Sequence, residues 1–244
     1  MADIAVKHGQ TELLYLDDSY VREFKASVLR AAENGIVLDR TAFHPRGGGL
    51  VSDVGVVRYE AGEAKVVEVV FGDEGVIHRV EGDMPPAGVE VTGLLDWQKR
   101  YRMMRMHTGL HVLAATMVEK TNALITGNNI SHDSGRVDFS LEAFDRAVME
   151  ECVDEANRRL AEGHEVKVYY MERDRVLSTP GLVKLAGRLP PDIPILRIVE
   201  IGKIDVQADG GPHVKNTSEV GKIAVTKLEN KGKNNRRMYF TVTP

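Results

Sequence analysis

The rhythm of hydrophobic and polar positions changes once along this chain, near residue 97. Upstream, β-branched and apolar residues gather in short, partly alternating runs at 36–38, 55–59, 65–70, 75–80 and 89–95. Gly62, Gly72-Asp73, Gly82-Asp83 and Pro85-Pro86 separate them. Short strands at roughly ten-residue spacing, punctuated by turn formers, predict a small β-barrel or closed meander. One stretch departs from this pattern. Val21, Phe24, Val28 and Ala31 recur at helical spacing and predict a helix over 21–30.

Downstream the periodicity lengthens. Met103, Met106, Leu110, Leu113 and Met117 share one face of a helix expected over 98–120. A strand is expected at 136–139. Ser140 is then placed to cap a helix whose stripe is Leu141, Phe144, Val148, Cys152, Ala156 and Leu160, stopped near Gly163. Strands follow at 166–170 and 196–201, and the runs at 221–228 and 237–242 form a closing hairpin. Helices on one antiparallel sheet give an α+β fold. The expected organisation is a β-barrel domain over 1–96 and an α+β domain over 97–244.

Composition narrows the class without naming a function. The 244 residues are 43% hydrophobic and 28% charged, as in an ordinary globular protein with room for real cores. A net charge of −4 gives no global signal for nucleic acid or membrane. Locally the balance differs. Lys99, Arg100, Arg102 and Arg105 form one basic run, and Lys231, Lys233, Arg236 and Arg237 form another. Such runs are either solvated faces or phosphate-binding surfaces. Cys152 is the only cysteine, which excludes an internal disulfide and suits a reducing cytosol; its place on an apolar stripe marks it as a buried hydrophobe. No apolar run approaches the roughly 20 residues of a membrane span, and the N-terminus carries no secretory signal. A cytoplasmic protein is expected.

The candidate chemistry lies in two short motifs. In Arg105-Met106-His107-Thr108-Gly109-Leu110-His111, His107 and His111 stand four apart, on one face of the expected helix. In Asp209-Gly210-Gly211-Pro212-His213 a carboxylate and a third imidazole have the same spacing on a segment that must turn, because Gly-Gly-Pro cannot continue a helix. Three nitrogens and one oxygen suit a tetrahedral zinc, one per chain. With no cysteine in the set, the centre either holds a water or receives the substrate directly. The glutamate of the His-Glu-x-x-His peptidases is missing, since Thr108 and Gly109 fill the middle. Catalysis would then rest on a zinc-bound water, with no assigned side-chain base. An activated ester needs less help than a peptide. The remaining histidines, His8, His44, His78, His132 and His164, lack partners at ligand spacing. A third run, Pro45-Arg46-Gly47-Gly48-Gly49, is as consistent with a barrel turn as with a backbone-lined binding element.

Together, His107-x-x-x-His111, the His213 pair continuing into Val214-Lys215-Asn216-Thr217-Ser218-Glu219, and the Pro-Arg-Gly-Gly-Gly run resemble the AlaX family. These are free-standing relatives of the editing domain of alanyl-tRNA synthetase. The resemblance covers nearly the whole chain. It implies hydrolysis of tRNA(Ala) mischarged with serine, or with glycine in forms carrying the glycine-rich run (Gly47, Gly48, Gly49), and a bound zinc. It also implies that Thr126, Asn128 and Asn129 offer hydroxyl or amide groups to the seryl side chain. Lys99, Arg100, Arg102, Lys231, Lys233, Arg236 and Arg237 would then grip acceptor-stem phosphates. One departure is visible: Asp209 stands where the family commonly has cysteine, and Pro212 where threonine is usual. Two other readings compete, a zinc hydrolase of a small ester or amide, and a tRNA-binding module that has lost catalysis.

Overall fold

The computed structural model describes residues 6–141, 145–182, 193–232 and 234–244. Two compact units divide the chain, Met1–Tyr101 and Arg102–Pro244.

The first unit is built on a closed six-stranded antiparallel barrel. Its strands are β3 (Glu23–Ala32), β4 (Gly35–Leu38), β6 (Gly55–Tyr59), β7 (Gly62–Gly72), β8 (Gly75–Gly82) and β9 (Glu90–Leu95), in the order β3-β4-β8-β7-β6-β9. Three short strands, β1 (Lys7–His8), β2 (Thr11–Leu13) and β5 (Arg40–Thr41), form a separate small sheet. Each strand run anticipated upstream coincides with a barrel strand, the one at 89–95 beginning a residue before β9. The helix anticipated over 21–30 does not form: that stretch is β3. Phe24, Ala26 and Val28 are buried on alternate positions, so a period of two wins over the apparent helical spacing. A bulge between Val28 and Arg30 blurs the alternation and explains the misreading.

Helix α1 (Trp97–Thr121) begins after Asp96, whose carboxylate accepts the Lys99 N–H at 3.3 Å. The boundary between the units falls within it. From Met106 to Met117 every residue of α1 is buried, which marks a core helix and carries both histidines into the interior.

The second unit carries two antiparallel sheets where one was expected. The first is four-stranded, in the order β10 (Ile125–Ile130), β11 (Gly135–Phe139), β16 (Arg236–Thr243), β15 (Lys222–Asn230). The other is β12 (Val166–Glu172), β13 (Ile195–Ile201) and β14 (Asp205–Ala208). Helix α2 (Arg146–Ala161) packs on β15, where Asn157 brackets the Ile223 backbone, donating to its carbonyl and accepting from its N–H. Its cap is Asp145, which accepts from Ala147 and Val148, and not Ser140, whose hydroxyl accepts the Leu124 N–H. Starting the helix later moves its stripe: Met149, Cys152, Val153, Ala156 and Leu160 are buried, whereas Val148 is 36% exposed. Phe144 lies outside the described residues. A short helix, α3 (Arg173–Ser178), and strand β14 were not foreseen.

Candidate metal centre

Helix α1 and strand β14 deliver the candidate side chains by their own periodicities. On α1, His107 and His111 are four apart and share a face. Gly109 lies between them because a Cβ there would come within 3.2 Å of Val220 and 3.6 Å of Ile223. On β14, Asp205 and Gln207 point to one side of the strand, and Asp209, just beyond its end, continues that alternation. The chain then turns sharply. Gly211 N–H donates to Asp209 Oδ1 at 2.7 Å, and buried Arg197 on β13 donates to the carbonyls of Asp209 and Gly211 at 2.9 and 3.0 Å. Val214 N–H donates to Thr108 Oγ1 at 3.3 Å. A capping box between Asn216 and Glu219 then holds the start of a single helical turn over Thr217–Val220. His213 is thereby brought back to the helix.

The four side chains meet. Ligand atoms of His107, His111, Asp209 and His213 all lie within 4.8 Å of one another, the group being chosen among the described residues. His107 Nε2 and His111 Nε2 are 3.3 Å apart; Asp209 Oδ2 is 3.6 and 3.7 Å from them; His213 Nε2 is 3.3 Å from Asp209 Oδ1. Donors about 2.0–2.1 Å from a tetrahedral zinc stand about 3.3–3.4 Å from each other; the shorter edges here, which use both Asp209 oxygens, are near that spacing, and the rest of the group would contract to hold an ion. The histidines are almost wholly buried, and the Asp209 side chain is 22% exposed.

Each imidazole is oriented through its other nitrogen. His107 Nδ1 lies 3.2 Å from the Pro212 carbonyl, His213 Nδ1 3.0 Å from Thr108 Oγ1, and His111 Nδ1 2.9 Å from Asp205 Oδ2. With Nδ1–H donating in each case, all three Nε2 lone pairs point inward. Burial pushes His107 well below the usual imidazole range and His213 to about 4, so both stay neutral and able to ligate. Burial pulls His111 down as well, yet Asp205 and Asp209 outweigh it and raise it to about 9. Burial opposes the charge on Asp209, but His107 foremost, with hydrogen bonds from His111 and His213, holds its carboxyl well below the usual range. Two neutral imidazoles, a third that would yield its proton to an incoming ion, and an ionised carboxylate converging on one point are a donor set for a divalent cation.

Other anticipated site residues are placed differently. Thr126 and Asn129 are exposed and Asn128 half-buried on β10, which belongs to the four-stranded sheet. Gly48 and Gly49 have φ of +61° and +88°, and Gly47 and Leu50 exchange two backbone hydrogen bonds, so the three glycines make a tight primed turn in the barrel unit.

The basic runs split by burial. Arg100 is not a phosphate contact. It is fully buried, ion-paired with Asp53, and donates to the carbonyls of Ser19 and Ala42. Arg236 is also withdrawn: it is 5% exposed and donates to Asn230 Oδ1 and to the Gly232 carbonyl. Strand alternation turns its neighbour Arg237 to the other face, where it makes a two-bonded pair with Asp138. Lys99, Arg102 and Lys231 are exposed, beside Asp96, Asp133 and Glu229 respectively. Lys233 lies outside the described residues.

Thr108, Asp205 and Gln207 were not anticipated. Asp205-x-x-x-Asp209-x-x-x-His213 repeats the four-residue step, but that spacing does not reveal the pairing of Asp205 with His111, and it gives no signal for Thr108 or Gln207.

Comparison with known proteins comes to the same regions. Residues 196–239 match a family described as the threonyl and alanyl tRNA synthetase second additional domain, and residues 8–99 match class II (A) tRNA synthetases. An alanyl-tRNA editing protein AlaX-M of Saccharolobus solfataricus is 48% identical over 96% of this chain and all of its own length. One from Methanosarcina acetivorans is 45% identical over 95% of this chain and 99% of its own. An alanine–tRNA ligase of Pyrobaculum neutrophilum is 38% identical over 95% of this chain, which covers 27% of that enzyme.

Proposed function

The chain belongs to the AlaX-M family of alanyl-tRNA editing proteins, and on that premise we propose that it is a trans-acting deacylase. Its substrate in this reading is tRNA(Ala) mischarged with serine, and also with glycine, while alanyl-tRNA(Ala) is spared. The observation that supports this most is the convergence of His107, His111, Asp209 and His213 within 4.8 Å. The donor set fits zinc in number and donor type, and these four residues would hold one ion per chain, with His111 giving up its proton to it. Bound there, zinc supplies Lewis acidity toward an ester oxygen or a water.

The chain's own residues do the rest. Asp205, Thr108 and the Pro212 carbonyl fix the imidazole tautomers. Arg197 holds the loop that carries Asp209 and His213. Asp209 is the most exposed of the four, so the ester approaches from its side. Thr108 is engaged with His213 and is not a general base. Thr126, Asn128 and Asn129 are the candidates for pairing the seryl hydroxyl. A pocket built for a hydroxyl rejects alanine because its polar groups are then left unpaired. Lys99, Arg102, Lys231 and Arg237 are the candidates for phosphate contacts.

Purified protein is expected to release serine from seryl-tRNA(Ala), leave alanyl-tRNA(Ala) intact, and lose this activity in His107→Ala. Serine release by that variant at the wild-type rate would end the assignment. Rising salt should weaken turnover of the tRNA steeply through lost phosphate contacts; a flat salt response would favour a small neutral ester.

A further inference from the structure

The three imidazoles of the centre are anchored by chemically different acceptors, and only one is charged. His107 donates to a peptide carbonyl and His213 to a hydroxyl, whereas His111 donates to the Asp205 carboxylate at 2.9 Å. The Asp205 side chain is 1% exposed. A carboxylate so deep in the protein persists as an anion only where it is paired and hydrogen-bonded. Asp205 Oδ2 also accepts from the Gln207 amide at 2.7 Å, a second donor from the same face of β14. The carboxylate therefore sits one imidazole away from the metal position, aligned by a neighbour on the same strand face.

We infer that Asp205, held by Gln207, is a positioning residue whose negative charge makes His111 the strongest nitrogen donor of the centre and sets its metal affinity. A carboxylate on Nδ1–H fixes the tautomer, restrains the ring and draws the proton toward itself, which raises the basicity of Nε2. Charge balance points the same way. Asp209 alone leaves a divalent ion with one uncompensated charge in a buried site; Asp205 supplies the second negative charge without occupying a coordination position. This inference rests on the metal-centre reading above, but not on the identity of the substrate.

The test compares wild type with Asp205→Asn and Asp205→Ala, measuring zinc affinity by competition with a chromophoric chelator. Asparagine keeps the volume and an acceptor oxygen but removes the charge. Asp205→Asn should bind zinc about ten- to a hundredfold more weakly, and Asp205→Ala at least as weakly. The visible absorption of the cobalt(II)-substituted protein should shift in both, because the ligand field at His111 changes. Turnover of seryl-tRNA(Ala) at saturating zinc should fall in kcat with little change in KM. Wild-type zinc affinity and an unchanged cobalt spectrum in Asp205→Asn would overturn the inference, whatever the alanine variant does. Should Asp205→Ala fail to fold, the near-isosteric asparagine variant decides alone. The two readings fail separately: a protein that binds zinc in an Asp205-dependent way but releases no serine refutes the editing assignment and leaves this inference standing.

Discussion

Histidine is buried in both units, and the two burials differ at a single atom. In the barrel, His78 on β8 uses both ring nitrogens: Nδ1 lies 3.3 Å from the Ile36 carbonyl and Nε2 2.8 Å from Thr41 Oγ1. Nothing is left over. At the second unit's centre each imidazole uses Nδ1 in the same manner, but every Nε2 points at the others and at Asp209. Buried charge shows the same contrast. Asp53 in the barrel is matched by Arg100, whose guanidinium also finds two carbonyls. Asp209 accepts the Gly211 N–H, and its other close neighbours are imidazoles that are themselves potential ligands. Burial of polar groups therefore does not mark function; convergence of several potential ligand atoms on one another does.

Predictions from this contrast can be ranked. The largest effect belongs to His107→Ala, which is expected to lose bound zinc and serine release together; retention of stoichiometric zinc would break the contrast. Next, Arg100→Met strands the buried Asp53 carboxylate and should cost about 3–5 kcal/mol by denaturant titration, with metal content per folded protein unchanged. Unaltered stability with a raised KM for tRNA would instead return Arg100 to the phosphate-binding surface.

His78 gives a pH-dependent test. Burial lowers it to about 4 from 6.5, so between those values the unfolded chain takes up a proton that the folded chain refuses. Its contribution is complete above about pH 6.5 and is lost as pH falls toward 4. The loss is on the order of 3 kcal/mol. In His78→Gln the slope of stability against pH over that window should be shallower; an identical slope would show that the imidazole does not stay neutral in the fold.

The smallest effects concern the glycine run. Gly48→Ala and Gly49→Ala force an L-residue into positive φ and should each destabilise by about 1–2 kcal/mol while zinc content stays constant.

Much of the centre was legible in the sequence because its parts are local. A four-residue step on a helix, and the same step across a Gly-Gly-Pro turn, each place two candidate ligands together without reference to the rest of the chain. The barrel strands were legible for a similar reason, being short alternating runs bounded by turn formers. What escaped depended on partners far along the chain. Over 21–30 two periodicities were available, and pairing with β4 and β9 decided for the strand. Arg236 and Arg237 look alike in a basic run, but the pleat sends one inward and the other outward. Arg100 looked like a surface cation until Asp53, 47 residues away, claimed it. Asp205 was invisible as an anchor because its role depends on His111, 94 residues earlier.

The most direct test of the metal-centred account is a titration of chelator-stripped protein with zinc, following serine release from seryl-tRNA(Ala). The account predicts no turnover without metal and a linear rise that saturates at one equivalent per chain. Full turnover by protein verified to contain no metal would contradict it.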